Sequence, residues 1–156
     1  MTNRQMRRVG STAGAMTGIA AGIMLAAQPV LVTLGVSPAA AAGISDLLLL
    51  GSFIAFILAG IIVRHRTGSV DIAARAGLAA GAWAGLLSAV ANLGLYTLAP
   101  GTYAAVSGQV SMATAGWGAV LLISLVSLAV EAGVGTGLAA AGALARHPLA
   151  RRADQR

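Results

Sequence analysis

Glu131 is the one acidic residue of this chain that falls deep within an apolar stretch. An ionisable group placed in hydrocarbon is costly, and so is by default a candidate functional site. Its chemistry would be to take up a proton or a cation and to release it when water enters. Counted back from Arg146 at ~1.5 Å per residue, Glu131 sits ~22 Å deep. Asn92, counted from Arg75 in the same way, sits ~25 Å deep. The two are therefore expected as partners, with Ser88, Ser124, Ser127 and Thr136 available to complete a small polar cluster. The structural alternative is a neutral carboxyl hydrogen-bonded for packing. A single carboxylate is fewer polar groups than ion-coupled carriers often need.

Other chemistry is thin. His65 and His147 flank apolar stretches beside arginines, which is poor electrostatics for a cation, and a metal site normally needs further ligands. No cysteine is present, so thiolate and disulfide chemistry are excluded. No histidine lies within an apolar stretch to act as base for the serines. The run Gly10-x-x-x-Gly14 is no phosphate cradle, because no strand precedes it and no lysine follows. The expectation is no enzyme, no cofactor and no metal. Gln28, near the end of its stretch, meets water or headgroups.

The elements that carry these residues follow from composition. The 156 residues are 58% hydrophobic and 9% charged. A soluble domain carries about 25% charged residues, so lipid is the natural solvent here. A bilayer core needs about 20 apolar residues in a helix. Four stretches qualify, at 9–33, 46–63, 74–98 and 116–145. The last is long enough that it must tilt or protrude. The fold class is an all-α integral membrane protein with four transmembrane helices. Between them lie a basic tail (1–8), an outer loop (34–45), a basic loop (64–73), a second outer loop (99–115) and a basic tail (146–156). Pro29 kinks or ends the first helix. Pro38, Pro100 and Pro148 fall in loops or tails. Ser45 and Asp46 are expected to cap the second helix, and Ser69 or Asp71 the third. Asp71 and Arg75 are spaced for an i,i+4 pair.

The net charge of +6 rests on ten arginines and no lysine. None of these arginines falls in 34–45 or 99–115. All of them therefore map to one side, which the positive-inside rule makes cytoplasmic. The expected location is a bacterial inner membrane with both ends cytoplasmic. Tyr96, Tyr103 and Trp117 cluster at the second outer loop, at headgroup level. Trp83 falls within a helix and serves lipid contact or packing. The arginines form short flanking clusters rather than a face, which argues against nucleic acid and for anionic lipid. Residues 1–42 also admit a signal-peptide reading, with cleavage near Ala39–Ala42. The apolar region is ~25 residues and glycine-rich, against 7–15 for an ordinary signal.

Two further patterns concern packing. Arg8-x-Gly10-x-x-x-Gly14-Ala15-x-x-Gly18 returns as Arg75-x-Gly77-x-x-x-Gly81-Ala82-x-x-Gly85. More faintly, Ala59-Gly60-x-x-x-Arg64-His65 returns as Ala141-Gly142-x-x-x-Arg146-His147. These suggest two parallel helical-hairpin repeats related by an axis along the membrane normal. Within them Gly10, Gly14, Gly18 and Gly22 line one helix face. Gly77, Gly81 and Gly85 line another, and Gly133 and Gly137 form a third pair. Small residues let helix backbones approach closely in lipid. The first and third helices are expected to pack face to face, or each on its hairpin partner, or on a second copy; packing within the chain is favoured. The function expected is that of a small non-enzymatic membrane component acting through helix–helix association, as a homo-oligomer or an accessory subunit. Its partners would be the bilayer and itself or another membrane protein, not nucleic acid. The alternative is a small oligomeric transporter or channel using Glu131.

Overall fold

The structure, a computed structural model, describes residues 2–107 and 116–145. The rest of the second outer loop, and the tail that carries Arg146, His147, Pro148, Arg151, Arg152, Asp154 and Arg156, lie outside the described residues. The protein is all-α. Its helices are α1 (Asn3–Leu25), α2 (Ala27–Thr33), α3 (Pro38–Thr67), α4 (Val70–Leu98), α5 (Pro100–Ser107) and α6 (Trp117–Ala145). Four helical segments are long and apolar enough to cross a membrane: Asn3–Thr33, which joins α1 and α2, then α3, α4 and α6.

Local chemistry sets the ends. Thr2 and Gln5 form a reciprocal capping box that starts α1 ahead of its arginines. α1 breaks after Leu25 because Pro29, four residues on, has no N–H to donate to the Leu25 carbonyl. The chain resumes at once as α2. α3 does not start at Ser45 and Asp46. It starts at Pro38, capped by the Ser37 hydroxyl, which accepts from the Ala40 N–H. Pro38 is thus the first residue of a helix rather than part of a loop. The outer loop shrinks to four residues, and α3 reaches ~45 Å, longer than the ~30 Å core. Asp46 lies exposed within the helix. At the other end, Gly68 ends α3 in the left-handed region at φ 71°, with its N–H on the Arg64 carbonyl. Ser69 then caps α4 by accepting from the Ile72 N–H. The expected basic loop is only this Gly68–Ser69 link. Pro100 opens α5 within the second outer loop.

The packing is inverted relative to a soluble protein. The buried side chains are small: Ala21, Ala59, Ala73, Ala76, Ala80, Ala84, Ala139 and Ala143, with Phe56 and Val63 among the few large ones. The large aliphatic side chains point outward, with Leu47 at 70% exposure, Met16 at 69% and Leu125 at 63%. Soluble monomers rarely expose apolar patches on this scale. In lipid this arrangement is expected, because no hydrophobic effect drives helices together and close backbone contact must do so. Four helix hydroxyls are satisfied locally: Thr33, Ser52, Thr67 and Thr136 each donate to the carbonyl four residues back.

α4 is the hub. It packs against α1 on one side and α6 on the other, with α3 bridging all three. α1 and α4 run parallel; Gly14 lies on Ala76 and Gly18 on Ala80. α4 and α6 run antiparallel; Gly77 lies on Gly135 and Gly81 on Glu131. The arginine-bearing helix ends meet at one end of the bundle. There Arg7 lines a cleft with Asp71 and Arg75, and Arg8 lines another with Arg66. At the opposite end Tyr96 stacks edge-on against Tyr103 at 5.3 Å and Trp117 at 5.1 Å.

Candidate functional site

The glycines are the most informative residues once their neighbours are known. The α1 face is fully used. A methyl group on Gly10 would stand 2.8 Å from Ile72 Cγ2, and one on Gly22 would stand 2.8 Å from Leu87 Cβ. On Gly14 and Gly18 it would strike the backbone of Ala76 and Ala80. α1 therefore docks its glycines onto α4, as the face-to-face arrangement requires. But it meets an alanine stripe there, Ala76, Ala80 and Ala84, and not the glycines of α4. Those lie one position further round and face α6. A methyl on Gly85 would stand 2.8 Å from Leu128 Cα, and on Gly81 2.7 Å from Ala132 Cα. α4 thus carries two adjacent small-residue stripes, one for each neighbour. The alanine stripe was readable in the sequence as Ala-Gly pairs every four residues, but only the glycines signalled a face.

Gly60 and Gly142 close a third crossing, between α3 and α6. A side chain on Gly60 would meet the Ala139 carbonyl, and one on Gly142 the Ile57 carbonyl.

Gly133 and Gly137 differ. Among the described residues nothing lies within 4 Å of a methyl placed on either. They are exposed, and Ala129 and Ala141 continue the same i,i+4 line, also exposed. The outward face of α3 is built otherwise, from Leu47, Leu50, Ile54, Leu58 and Ile62. α6 therefore presents a flat strip of Ala129, Gly133, Gly137 and Ala141 where α3 presents leucine and isoleucine.

Glu131 lies on the opposite side of α6. Its backbone carbonyl is the one Gly81 approaches, and it shares a stripe with buried Ser124 and Gly135. Its Oε2 atom is buried and has no hydrogen-bond partner among the described residues. Asn92 does not supply one. The antiparallel register sets Gly77 against Gly135 and Gly85 against Leu128, which puts Asn92 level with about Leu121. That is about ten residues, or ~15 Å, along α6 from Glu131. The expectation failed because Arg75 does not mark the level at which α6 ends: by the same register it sits opposite about Leu138, inside that helix. Glu131 faces Gly81, only ~9 Å along α4 from Arg75. Against α4 it lies on the arginine side of the middle. Thr136 is not free for a cluster, since its hydroxyl donates to the Ala132 carbonyl at 2.7 Å. His65 is exposed near the end of α3, and its expected counterpart lies outside the described residues.

The site defines a class, a four-helix membrane protein with a small-residue interior. Comparison with family models, curated proteins and solved structures returned no match.

Proposed function

We propose that this chain is a non-enzymatic membrane component that acts by lateral helix–helix contact, through the strip Ala129, Gly133, Gly137 and Ala141 on α6. One observation carries the reading. Nearly every glycine in the middle of the bundle touches a neighbouring helix, whereas Gly133 and Gly137 touch nothing. A strip of small residues lets a second helix approach to backbone contact. The occupant we favour is a second copy of the chain; a different multi-pass protein is the alternative. The chain has no cysteine, so single-cysteine crosslinking in native membranes is a clean test. Gly133→Cys and Gly137→Cys should give disulfide-linked dimers, while Ile54→Cys and Leu58→Cys on α3 should not. Crosslinks to another protein would make the chain an accessory subunit. Equal crosslinking from both helices, or none from α6, would remove the association reading.

The chain is further proposed to consist of two related hairpins, α1–α3 and α4–α6. In the alignment that sets Gly60 on Gly142, Ile57 falls on Ala139. The contact of Gly60 with Ala139 and that of Gly142 with Ile57 are therefore each other's images. The likeness is confined to that crossing, since α1 and α4 direct their glycines to different neighbours. The arginine end is proposed to face the cytoplasm of a bacterial inner membrane. Labelling of Ser69→Cys but not Ser37→Cys from the cytoplasmic side would support that orientation.

The second reading, a proton or cation site at Glu131, keeps one support, the unpartnered buried Oε2. Flux in proteoliposomes tests it. Equal flux from wild type and Glu131→Gln would take the carboxyl out of any transport.

A further inference from the structure

Among the described residues, two arginines lie without an acidic partner in a groove that has an apolar floor. Arg8 on α1 and Arg66 at the end of α3 line one cleft of about 340 Å³, together with Val9, Thr12, Met16 and Ile62. Among the described residues the one ion pair joins Arg75 to Asp71 at 3.0 Å, in the neighbouring cleft on the other side of α1. That cleft is thus partly neutralised, and the Arg8–Arg66 cleft is not. Both guanidiniums are exposed. The groove continues from them toward the membrane interior over Met16 and Ile62, which are 69% and 49% exposed. The polar and apolar parts are ordered as a lipid is ordered, charge at the interface and hydrocarbon beneath it.

We infer that this groove is a binding site for an anionic phospholipid, with the headgroup phosphate between Arg8 and Arg66 and an acyl chain along Met16 and Ile62. Guanidinium donors pair with phosphate oxygens through parallel hydrogen bonds. The Thr12 hydroxyl lies at the same mouth and can donate to a third oxygen. Basic pockets between helices at a membrane interface take such headgroups. The assignment rests on the membrane reading of the fold but not on the α6 strip, which lies on a helix that does not line this groove. Failure of one therefore leaves the other standing.

The test is lipid retention by the purified full chain, read by native mass spectrometry from micelles doped with phosphatidylglycerol or phosphatidylcholine. Wild type should retain phosphatidylglycerol selectively. The pair Arg8→Gln and Arg66→Gln should weaken that retention by about 30-fold, at about fivefold for each arginine. The pair Arg4→Gln and Arg7→Gln removes the same charge from the same end and should retain most of it. Circular dichroism of each variant controls for folding, and Arg8→Lys with Arg66→Lys, which keeps charge but loses the fork, should fall between. Equal losses from the two glutamine pairs would reduce the effect to diffuse surface charge and overturn the site. Displacement of the lipid by millimolar inorganic phosphate would show that the cleft selects the anion alone, and would overturn the lipid assignment.

Discussion

Replacing Gly81 by alanine adds one methyl group at the tightest part of the α4–α6 interface. That methyl would stand 2.7 Å from Ala132 Cα and 2.7 Å from the carbonyl carbon of Glu131, and closer still to its oxygen. All of these are backbone atoms, so no side chain can swing aside. Carbon pairs are most favourable near 3.5–4.0 Å, so α6 must withdraw by roughly 1 Å. A gap of that size forfeits about a quarter to a half of the dispersion energy of each contact it opens. Overpacking of this kind costs about 1–3 kcal/mol. Alanine also favours a helix over glycine by about 1 kcal/mol, which hides part of the cost. Gly133→Ala removes the ambiguity. It makes the same change in α6, where nothing lies within 4 Å, and gains only the propensity. The difference between the two variants isolates the steric cost, about 1–3 kcal/mol, or ~5-fold to ~150-fold in the unfolding equilibrium. The assay is reversible unfolding in mixed micelles with rising SDS, followed by fluorescence of Trp83 and Trp117, at dilution where the chain is monomeric. Equal stability of the two variants, or a more stable Gly81→Ala, would refute the close-approach account.

Other outcomes follow from the same geometry. Gly14→Leu should destabilise the bundle more than Gly81→Ala, because the larger side chain strikes the Ala76 backbone; an unchanged SDS midpoint would count against docking of α1 on α4. Gly137→Leu should leave the monomer no less stable, with at most the helix-propensity gain of about 1 kcal/mol, while abolishing self-association, and retained dimers in mild detergent would move the contact to another face. Pro29→Ala restores an N–H that can reach the Leu25 carbonyl, so slow amide exchange should run unbroken from Gly22 to Thr33; fast exchange of the amide so introduced would give the break another cause. Asp71→Asn should cost no more than about 1 kcal/mol, since the pair with Arg75 is exposed, and a larger loss in the same SDS titration would mean that Asp71 has a second role.

Much of this fold is legible in the residues. The aliphatic runs give the four crossings, and the fourfold glycine spacing gives faces. What spacing cannot give is the partner of a face. Gly14 and Gly81 look equivalent in sequence, yet one meets α4 and the other α6. The deciding residues are Ala76, Ala80 and Ala84, whose methyls are small enough to receive α1 and too ordinary to stand out. The start of α3 is hidden for a similar reason. Ser45-Asp46 precedes the leucines and resembles a cap, but the alanines before it are good helix formers, and Ser37-Pro38 carries the stronger start signal. The pairing of Glu131 with Asn92 failed on register, because charges at helix ends mark an interface only to within a turn or two.

The alanine and glycine interior has a thermodynamic consequence. Burying a leucine or methionine freezes rotamers at a cost in entropy, whereas alanine and glycine have no rotamers to freeze. The contacts of α4 with α1 and α6 are centred on such residues, so ordering them costs mainly backbone freedom. The leucines and isoleucines on the outside keep their torsional freedom in fluid lipid. Side-chain motion in this protein should therefore lie on its surface, around an interior with few torsions to arrest.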